Sequence, residues 1–331
     1  MLISNKLKMI KKNKNVVTVY FGNDWSKETP LLKDEPTRIS FEYWHKKGLE
    51  QGVQMYRASI KWYNKDKNIF EKAWAYRDGK WMKITEPIKP DMIFDKIAGK
   101  YDYQLFDFKM DLIAKNKVKF FNHPIFRVST DNKLTQYLVL KEFMPDSFLA
   151  TNEKELGTVL NKIKTTKVVV KPLHGSGGFG IIIDKKNNIK NKEIKYPVFV
   201  QEFIKSEKGI PGFSKKDEVA DLRMIYINNK CIYSLSRIAK KGSLFTNFHQ
   251  GASVVLVPEN KIPESVKKMA GEIVKKLSVF PEANYSLDFV FTNEGNPILI
   301  EMNTTPGLDL LHIVGDEKIK QKNFEEFIKI L

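Results

Sequence analysis

The stretch Val168-Val169-Val170-Lys171-Pro172-Leu173-His174-Gly175-Ser176-Gly177-Gly178-Phe179-Gly180-Ile181-Ile182-Ile183 decides the fold. Gly175, Gly177 and Gly180 satisfy G-x-G-x-x-G, but a dinucleotide-binding unit needs a helix after that loop, and three β-branched residues follow instead. No Gly-Lys-Ser/Thr closes the motif, which excludes a P-loop. The segment reads as a glycine flap between two antiparallel strands, whose bare backbone N–H groups are free to close over phosphates. Lys171 ends a buried β-branched strand. A buried ammonium costs several kcal/mol unless an anion meets it.

Working outward, the C-terminal segment Tyr285 to Met302 reads as a hairpin turning at Glu294-Gly295. That centring sets Asp288 directly opposite Glu301, with Cβ atoms about 4.5 to 5.5 Å apart and Asn303 on the same face. Opposed carboxylates destabilise a sheet unless a cation sits between them. Two carboxylates and an amide oxygen suit Mg2+, which keeps its other positions for water and phosphate. The apolar segment Val198 to Ile204 is by itself merely a strand; set between flap and hairpin, it could instead be an edge on which adenine makes backbone hydrogen bonds.

The first third alternates strands with helices: strands at 15–22, 53–60, 90–94 and 118–121, helices at 39–52 and 102–115, and a hairpin turning at Asp78-Gly79. This implies an open, mainly parallel sheet. Asp131 is expected to cap a helix running to about Phe143, and Thr151 another. Strands follow at 222–228, 231–238 and 252–257, then a helix at 263–278 and a single C-terminal helix. Lys205 to Ala220 is a Lys- and Gly-rich insertion, a mobile lid or a solvated loop. Trp44, Trp62, Trp74 and Trp81 read as core and hairpin packing rather than a peptide cleft.

The chain's 331 residues allow two or three compact units without staples. The lone Cys231 excludes an internal disulfide and a cysteine zinc cage, which fits a cytoplasmic setting. No apolar run is long enough for a membrane span or a signal core. Met1 to Asn15 reads as a loose Lys-rich tail, with Met9 as an alternative start. Lys plus Arg 56 against Asp plus Glu 39 leaves +17. This charge draws acidic partners, or else reflects drift in a Lys-rich chain. No helix-turn-helix, zinc finger or aromatic RNP pattern supports nucleic-acid reading.

Taken in order, Lys133, Lys171-Pro172 with its flap, Gln201-Glu202-Phe203-Ile204, Asp221-Leu222-Arg223, Arg237, Asn247, Asp288 and Glu301-Met302-Asn303 resemble the ATP-grasp superfamily. The likeness is to the branch of RimK-type and LysW-directed ligases and glutathione synthetases, and it covers roughly Asn122 to Leu310. It implies an α/β ATP-grasp fold in which two sheets sandwich ATP. Residues 1–125 would form a pre-grasp domain, 126–203 the central grasp subdomain, and 204–331 the C-terminal one.

The resemblance also implies roles. Lys133 and Lys171 would hold the α- and β-phosphates, and the flap at Gly175, Ser176, Gly177 and Gly178 the β- and γ-phosphates. Gln201, Glu202, Phe203 and Ile204 would seat adenine, and Asp221 the ribose. Asp288, Glu301 and Asn303 would bind two Mg2+ ions, with Mn2+ as a substitute. Arg223, Arg237 and Asn247 would face the transferred phosphoryl group. The implied reaction joins a carboxylate to an amine through an acyl phosphate, releasing ADP and phosphate. Its substrate would be a small molecule, an amino acid, a peptide or an acidic protein tail, and a homo-oligomer is compatible with the sequence. The alternatives are a small-molecule kinase and a nucleotide-dependent binding protein. His174 and His249 are candidate bases that read more simply as loop histidines. Phe245 and Gln250 stand where the glutamate ligases have arginines, so the resemblance names no amine.

Overall fold

The structure, a computed structural model, describes residues 14–32, 34–97, 103–116, 118–175, 177–215 and 217–331. The tail through residue 13, with the alternative start at Met9, and Ser176 of the flap lie outside them. Contacts divide the chain into a unit of residues 14–97 with Phe108–Phe121 and a larger unit that includes Asn122–Ile330.

In the first unit, strand β1 (Lys14–Tyr20) leads to helix α1 (Glu35–Glu50) and strand β2 (Val53–Ser59). Helix α1 starts four residues before the expected position because Asp34 caps it, accepting from Thr37 N at 2.9 Å, with Pro36 in the first turn. A short pair, β3 (Tyr63–Asn64) and β4 (Ile69–Phe70), precedes the hairpin β5 (Ala73–Arg77) and β6 (Lys80–Ile84). That hairpin turns at Asp78 and Gly79 with φ of +49° and +76°, the left-handed pair its tight turn requires. Strand β7 (Met92–Asp95), helix α2 (Tyr103–Asn116) and strand β8 (Lys119–Phe121) follow. The sheet order is β6-β5-β2-β1-β7-β8. Strands β2, β1, β7 and β8 are parallel, as expected, whereas β5 and β6 add an antiparallel wing.

The larger unit opens with α3 (Pro124–Thr130) and α4 (Lys133–Leu140). Asn132 caps α4 through Leu134 N at 2.8 Å, correcting the cap expected at Asp131, which instead ends α3. Strand β9 (Ser147–Ala150) and helix α5 (Glu153–Lys162) come next. Asn152, not Thr151, caps α5, and Glu155 reaches back to Thr151 N at 2.8 Å. Strands β10 (Lys167–Pro172) and β11 (Ile182–Lys185), the short helix α6 (Lys186–Ile189) and strand β12 (Val198–Glu202) complete a sheet of order β11-β10-β12-β9. A second sheet, β15-β14-β13-β16-β17, is built from β13 (Ala220–Ile227), β14 (Lys230–Ile238), β15 (Ser253–Leu256), β16 (Asn284–Phe291) and β17 (Pro297–Asn303). Helix α7 (Glu264–Leu277) lies between β15 and β16 in sequence, and α8 (Asp309–Val314) and α9 (Glu317–Ile328) stand where one terminal helix was expected.

Strand alternation sends alternate residues to opposite faces, and this places the site. Val168 and Val170 of β10 bury against Leu156, Val159 and Leu160 of α5, leaving Val169 and Lys171 to the other face. Leu222, Met224, Leu287 and Phe289 pack with Val266, Ala270, Ile273 and Leu277 of α7, which recur at helical spacing. Asp221, Arg223 and Asp288 therefore face away from that core. The insertion is anchored to the fold, although Lys205, Glu207, Lys208 and Lys215 are exposed. Ile210 is 1% exposed in the same core, Phe213 packs beside it, and Lys208 donates to Asn293 O at 2.9 Å.

Candidate active site

Within the larger unit the two remaining strand faces enclose a cavity of about 650 Å³. Val169, Ile181 and Ile183 line one side and Val290, Ile300 and Phe245 another, with Lys171, Asp221, Arg237, Asn247 and Glu301 also in its wall. An apolar slot with a few convergent polar groups suits a planar, charged ligand.

Lys171 donates to Gln201 Oε1 at 2.8 Å and to Ile300 O at 3.1 Å, both neutral acceptors. Burial pushes its pKa down to about 8, with Glu301 opposing and Lys133 reinforcing the shift. Gln201, expected near adenine, is 2% exposed, its Oε1 accepting from Lys171 and its Nε2 donating to Ser147 Oγ at 3.1 Å. Its side chain therefore aims Lys171 from the cavity wall. A correction concerns its strand. β12 lies between β10 and β9, so it is not an edge. Its backbone is paired through Glu202, whose N–H donates to Asp146 O, and Glu202 Oε1 accepts from Lys164 N at 2.9 Å. The cavity meets looser backbone from Phe203 and Ile204 onward, where Phe203 N has only a long 3.4 Å contact to Thr165 Oγ1.

The flap joins β10 and β11 as expected. Gly175, Gly177 and Gly178 have φ of +114°, +74° and +79°. A Cβ on Gly178 would lie 2.8 Å from Asn247 Oδ1, and one on Gly177 3.3 Å from the His249 ring, so the flap rests on the 240–251 loop. Lys133 Nζ ties this arrangement together, donating to Gly175 O at 3.0 Å and pairing with Glu301 at 3.2 Å. His174 contacts Asn132 at 3.4 Å and His249 lies 3.9 Å from Asp309.

Asp288 and Glu301 pair across β16 and β17 as predicted, but by a different route. The turn-side pairs Phe289 with Leu299 and Val290 with Ile298 are one residue out of the expected register. A bulge at Ile300 restores the opposition of Asp288 and Glu301, and its carbonyl is the one Lys171 uses.

The charges then neutralise one another in a ladder. Arg223 grips Asp288 with Nε at 2.8 Å and Nη2 at 2.6 Å. Arg237 grips Asp221 at 2.9 and 2.5 Å, and its Nη2 also donates to Asp288 at 2.8 Å. Burial opposes ionisation of Asp288, but Arg223 and Arg237 hold its pKa below the ordinary value. For Asp221 burial prevails over Arg237, and the pKa is raised. Burial also disfavours charge on Arg237, yet Asp221 and Asp288 outweigh it and raise its pKa.

Two expectations change. Asp221, expected at the ribose, is 0% exposed, and its carboxylate is committed to Arg237 and to Thr246, the latter at 2.6 Å. The expected metal set is only partly presented. Glu301 keeps 19% side-chain exposure at the cavity, and Asn303 is half-buried with Oδ1 accepting from Thr305 N at 2.9 Å. Asp288 is held by guanidinium groups instead of lying open. Among the described residues no group of three His, Cys, Asp or Glu is placed to hold an ion. The donor chemistry of Glu301 and Asn303 fits a hard cation.

Several residues carried no sequence signal. Gln136 of α4 donates to Met302 O at 2.6 Å and accepts from Met302 N at 3.1 Å, fixing the strand that bears Glu301 and Asn303. Asn122 does the same for β16, donating to Asn284 O at 2.7 Å and accepting from Asn284 N at 2.6 Å. Ser206 and Glu207, at the start of the insertion, line the cavity.

A flap-bearing sheet facing a second sheet across such a cavity defines the ATP-grasp class. The RimK-like ATP-grasp domain matches residues 128–323, and the chain belongs to that family. A probable alpha-L-glutamate ligase of Vibrio parahaemolyticus is 24% identical over 188 residues, 55% of this chain and 57% of that protein. The chain spans about half the length of the curated relatives it matches. Among solved structures, D-alanyl-alanine synthetase A of Vibrio cholerae superposes with a TM-score of 0.61 at 15% identity, covering 96% of this chain and 98% of that one. A RiPP-associated ATP-grasp ligase of Chryseobacterium gregarium, in complex with ADP and a leader and core peptide, gives 0.58 at 13% identity over 96% and 97%. These superpositions establish the fold. Among the described residues no helix is long and apolar enough to cross a membrane.

Proposed function

We propose that the chain is an ATP-dependent carboxylate–amine ligase working through an acyl phosphate. The observation that carries the reading is Lys171, a buried ammonium with neutral hydrogen-bond acceptors at a cavity closed by a glycine flap. A phosphate would supply the anion that this ammonium calls for. The adenine would lie between Val169, Ile183 and Val290, Ile300, against the backbone of Phe203 and Ile204. Glu207, open at the rim with 57% side-chain exposure, would accept from the ribose in place of Asp221. Lys133 and the flap amides of Gly175, Gly177 and Gly178, with Ser176, would hold the outer phosphates. The three-part division at residues 125 and 203 is part of this reading, as are a cytoplasmic setting and a substrate that is an amino acid, a peptide or an acidic tail.

In the reaction, an oxygen of the substrate carboxylate bonds to the γ-phosphorus while the bond to the β,γ-bridging oxygen breaks and ADP departs. The amine nitrogen then bonds to the acyl carbon, phosphate leaves with that carboxylate oxygen, and the amine proton passes to solvent. Arg237 in the cavity wall, oriented by Asp221, and Arg223, oriented by Asp288, would stabilise the charge that gathers on the transferred phosphoryl group. Asn247 props the flap above. Mg2+ would be held by Glu301 and Asn303, with Asp288 joining if its guanidinium partners turn to phosphate, and would neutralise the phosphate oxygens. The flap, resting on the 240–251 loop, shields the acyl phosphate from water.

The test is ADP release by the purified chain with a panel of carboxylates and amines, products being scored by mass spectrometry for loss of water. Release that requires both partners supports ligation. A stable phosphorylated product formed without an amine supports a kinase instead.

A further inference from the structure

The first unit holds a constellation that the nucleotide site does not use. The loop after β1 is fixed by Asp24, 2% exposed, which accepts from Tyr20 Oη at 2.5 Å, Trp74 Nε1 at 3.1 Å and Leu31 N at 2.9 Å. This buried carboxylate anchors a segment that leaves Phe21 50% and Leu31 62% exposed. Trp25 of the same loop meets Trp62 and Trp74, with ring centroids 5.3 Å away in each case. Three ammonium groups sit over these rings. Lys61 Nζ is 4.5 Å from the Phe21 centroid, Lys72 Nζ 5.3 Å from Trp25 and 5.4 Å from Trp62, and Lys83 Nζ 5.5 Å from both Trp25 and Trp74.

Among the described residues none of the three lysines is paired with a carboxylate, although Glu28 and Glu71 are exposed on the same stretch of chain. Exposed cation–π contacts seat a lysine without neutralising it. The result is a rigid shelf of positive charge with exposed apolar side chains beside it. Single-stranded nucleic acid needs bare ring faces for base stacking. Here ammonium groups cover the ring faces, so the chemistry favours carboxylates.

We propose that this face docks an acidic polypeptide segment whose carboxylates meet Lys61, Lys72 and Lys83 and whose apolar side chains meet Phe21 and Leu31. The ligase reading enters only in calling that segment a substrate; the docking itself stands without it.

The test is fluorescence anisotropy with the full chain, without nucleotide, using a labelled peptide of alternating Glu and Leu. Converting Lys61, Lys72 and Lys83 to Glu should weaken binding at least about tenfold, because juxtaposed like charges cost several kcal/mol. An equal charge change at Lys261, Lys268 and Lys275, exposed in the other unit, should weaken it less than about twofold at moderate salt, where separated charges are screened. Should the Glu variant fail to fold, Gln at the three positions should still weaken binding severalfold. Equal losses in both variants, or tighter binding of labelled oligothymidylate than of the peptide, would overturn the proposal. Because no ATP is present, a failure here is separate from a failure of ADP release.

Discussion

Asp288 and Glu301 face each other across β16 and β17, yet each is neutralised by different cations: Asp288 by Arg223 and Arg237, Glu301 by Lys133. The sheet tolerates the opposed carboxylates because cationic side chains from β13, β14 and α4 pair with them. Their exposure differs too, at 1% for the Asp288 side chain and 19% for Glu301.

That difference separates two substitutions. Asp288→Asn leaves two buried guanidinium groups short of charge, and breaking a buried pair costs about 3–5 kcal/mol. Thermal melting should fall by many degrees along with turnover. Glu301→Gln should lower turnover at least about a hundredfold with little change in melting, since Lys133 keeps Gly175 O as a partner. Equal melting losses in both would show that Glu301 is structural.

Lys171 sets a pH dependence. With its pKa lowered to about 8 in the ligand-free chain, the ammonium that would meet phosphate is present below that pH and lost above it. A bound phosphate favours the charged form and raises the pKa. ADP affinity, followed by calorimetry, should therefore be flat from pH 6 to 7 and fall by up to about tenfold per pH unit above 8. Lys171→Arg, charged throughout, should flatten the profile.

At the flap, Gly178→Ala combines a φ of +79° with a Cβ 2.8 Å from Asn247, whereas Gly175→Ala meets nothing within 4 Å despite its φ of +114°. Left-handed backbone alone costs about 1–2 kcal/mol. Gly178→Ala should thus impair ADP binding more than Gly175→Ala, measured side by side.

The insertion makes a stability prediction. Ile210→Ala should cost about 2–5 kcal/mol in denaturant unfolding, as for any large-to-small change in a packed core. An unchanged midpoint would restore the reading of a mobile lid or solvated loop.

The flap, the strands around it and the facing of Asp288 on Glu301 were legible because glycine patterns, β-branched runs and period-two alternation are local signals. Partnership was not. Gln201 sits in an adenine-like motif but hydrogen-bonds Lys171, and Asp221 closes on Arg237, because burial forces each polar group onto whichever neighbour the fold supplies. The cap at Asn132 in place of Asp131 reflects two adjacent residues of equal capping strength. The bulge at Ile300 left no mark in composition, and Gln136 and Asn122 are single amides whose partners lie more than 160 residues away.

The central claim is that a nucleotide's phosphates are held where the flap-bearing strand meets the terminal hairpin. Calorimetric titration of the chain with ADP and Mg2+, against a Lys171→Met variant of matching melting temperature, tests it most directly. The account predicts binding by the native chain and a loss of at least about a hundredfold in the variant, as expected when a charge-assisted contact to phosphate is removed. Equal affinity in the two proteins would contradict it.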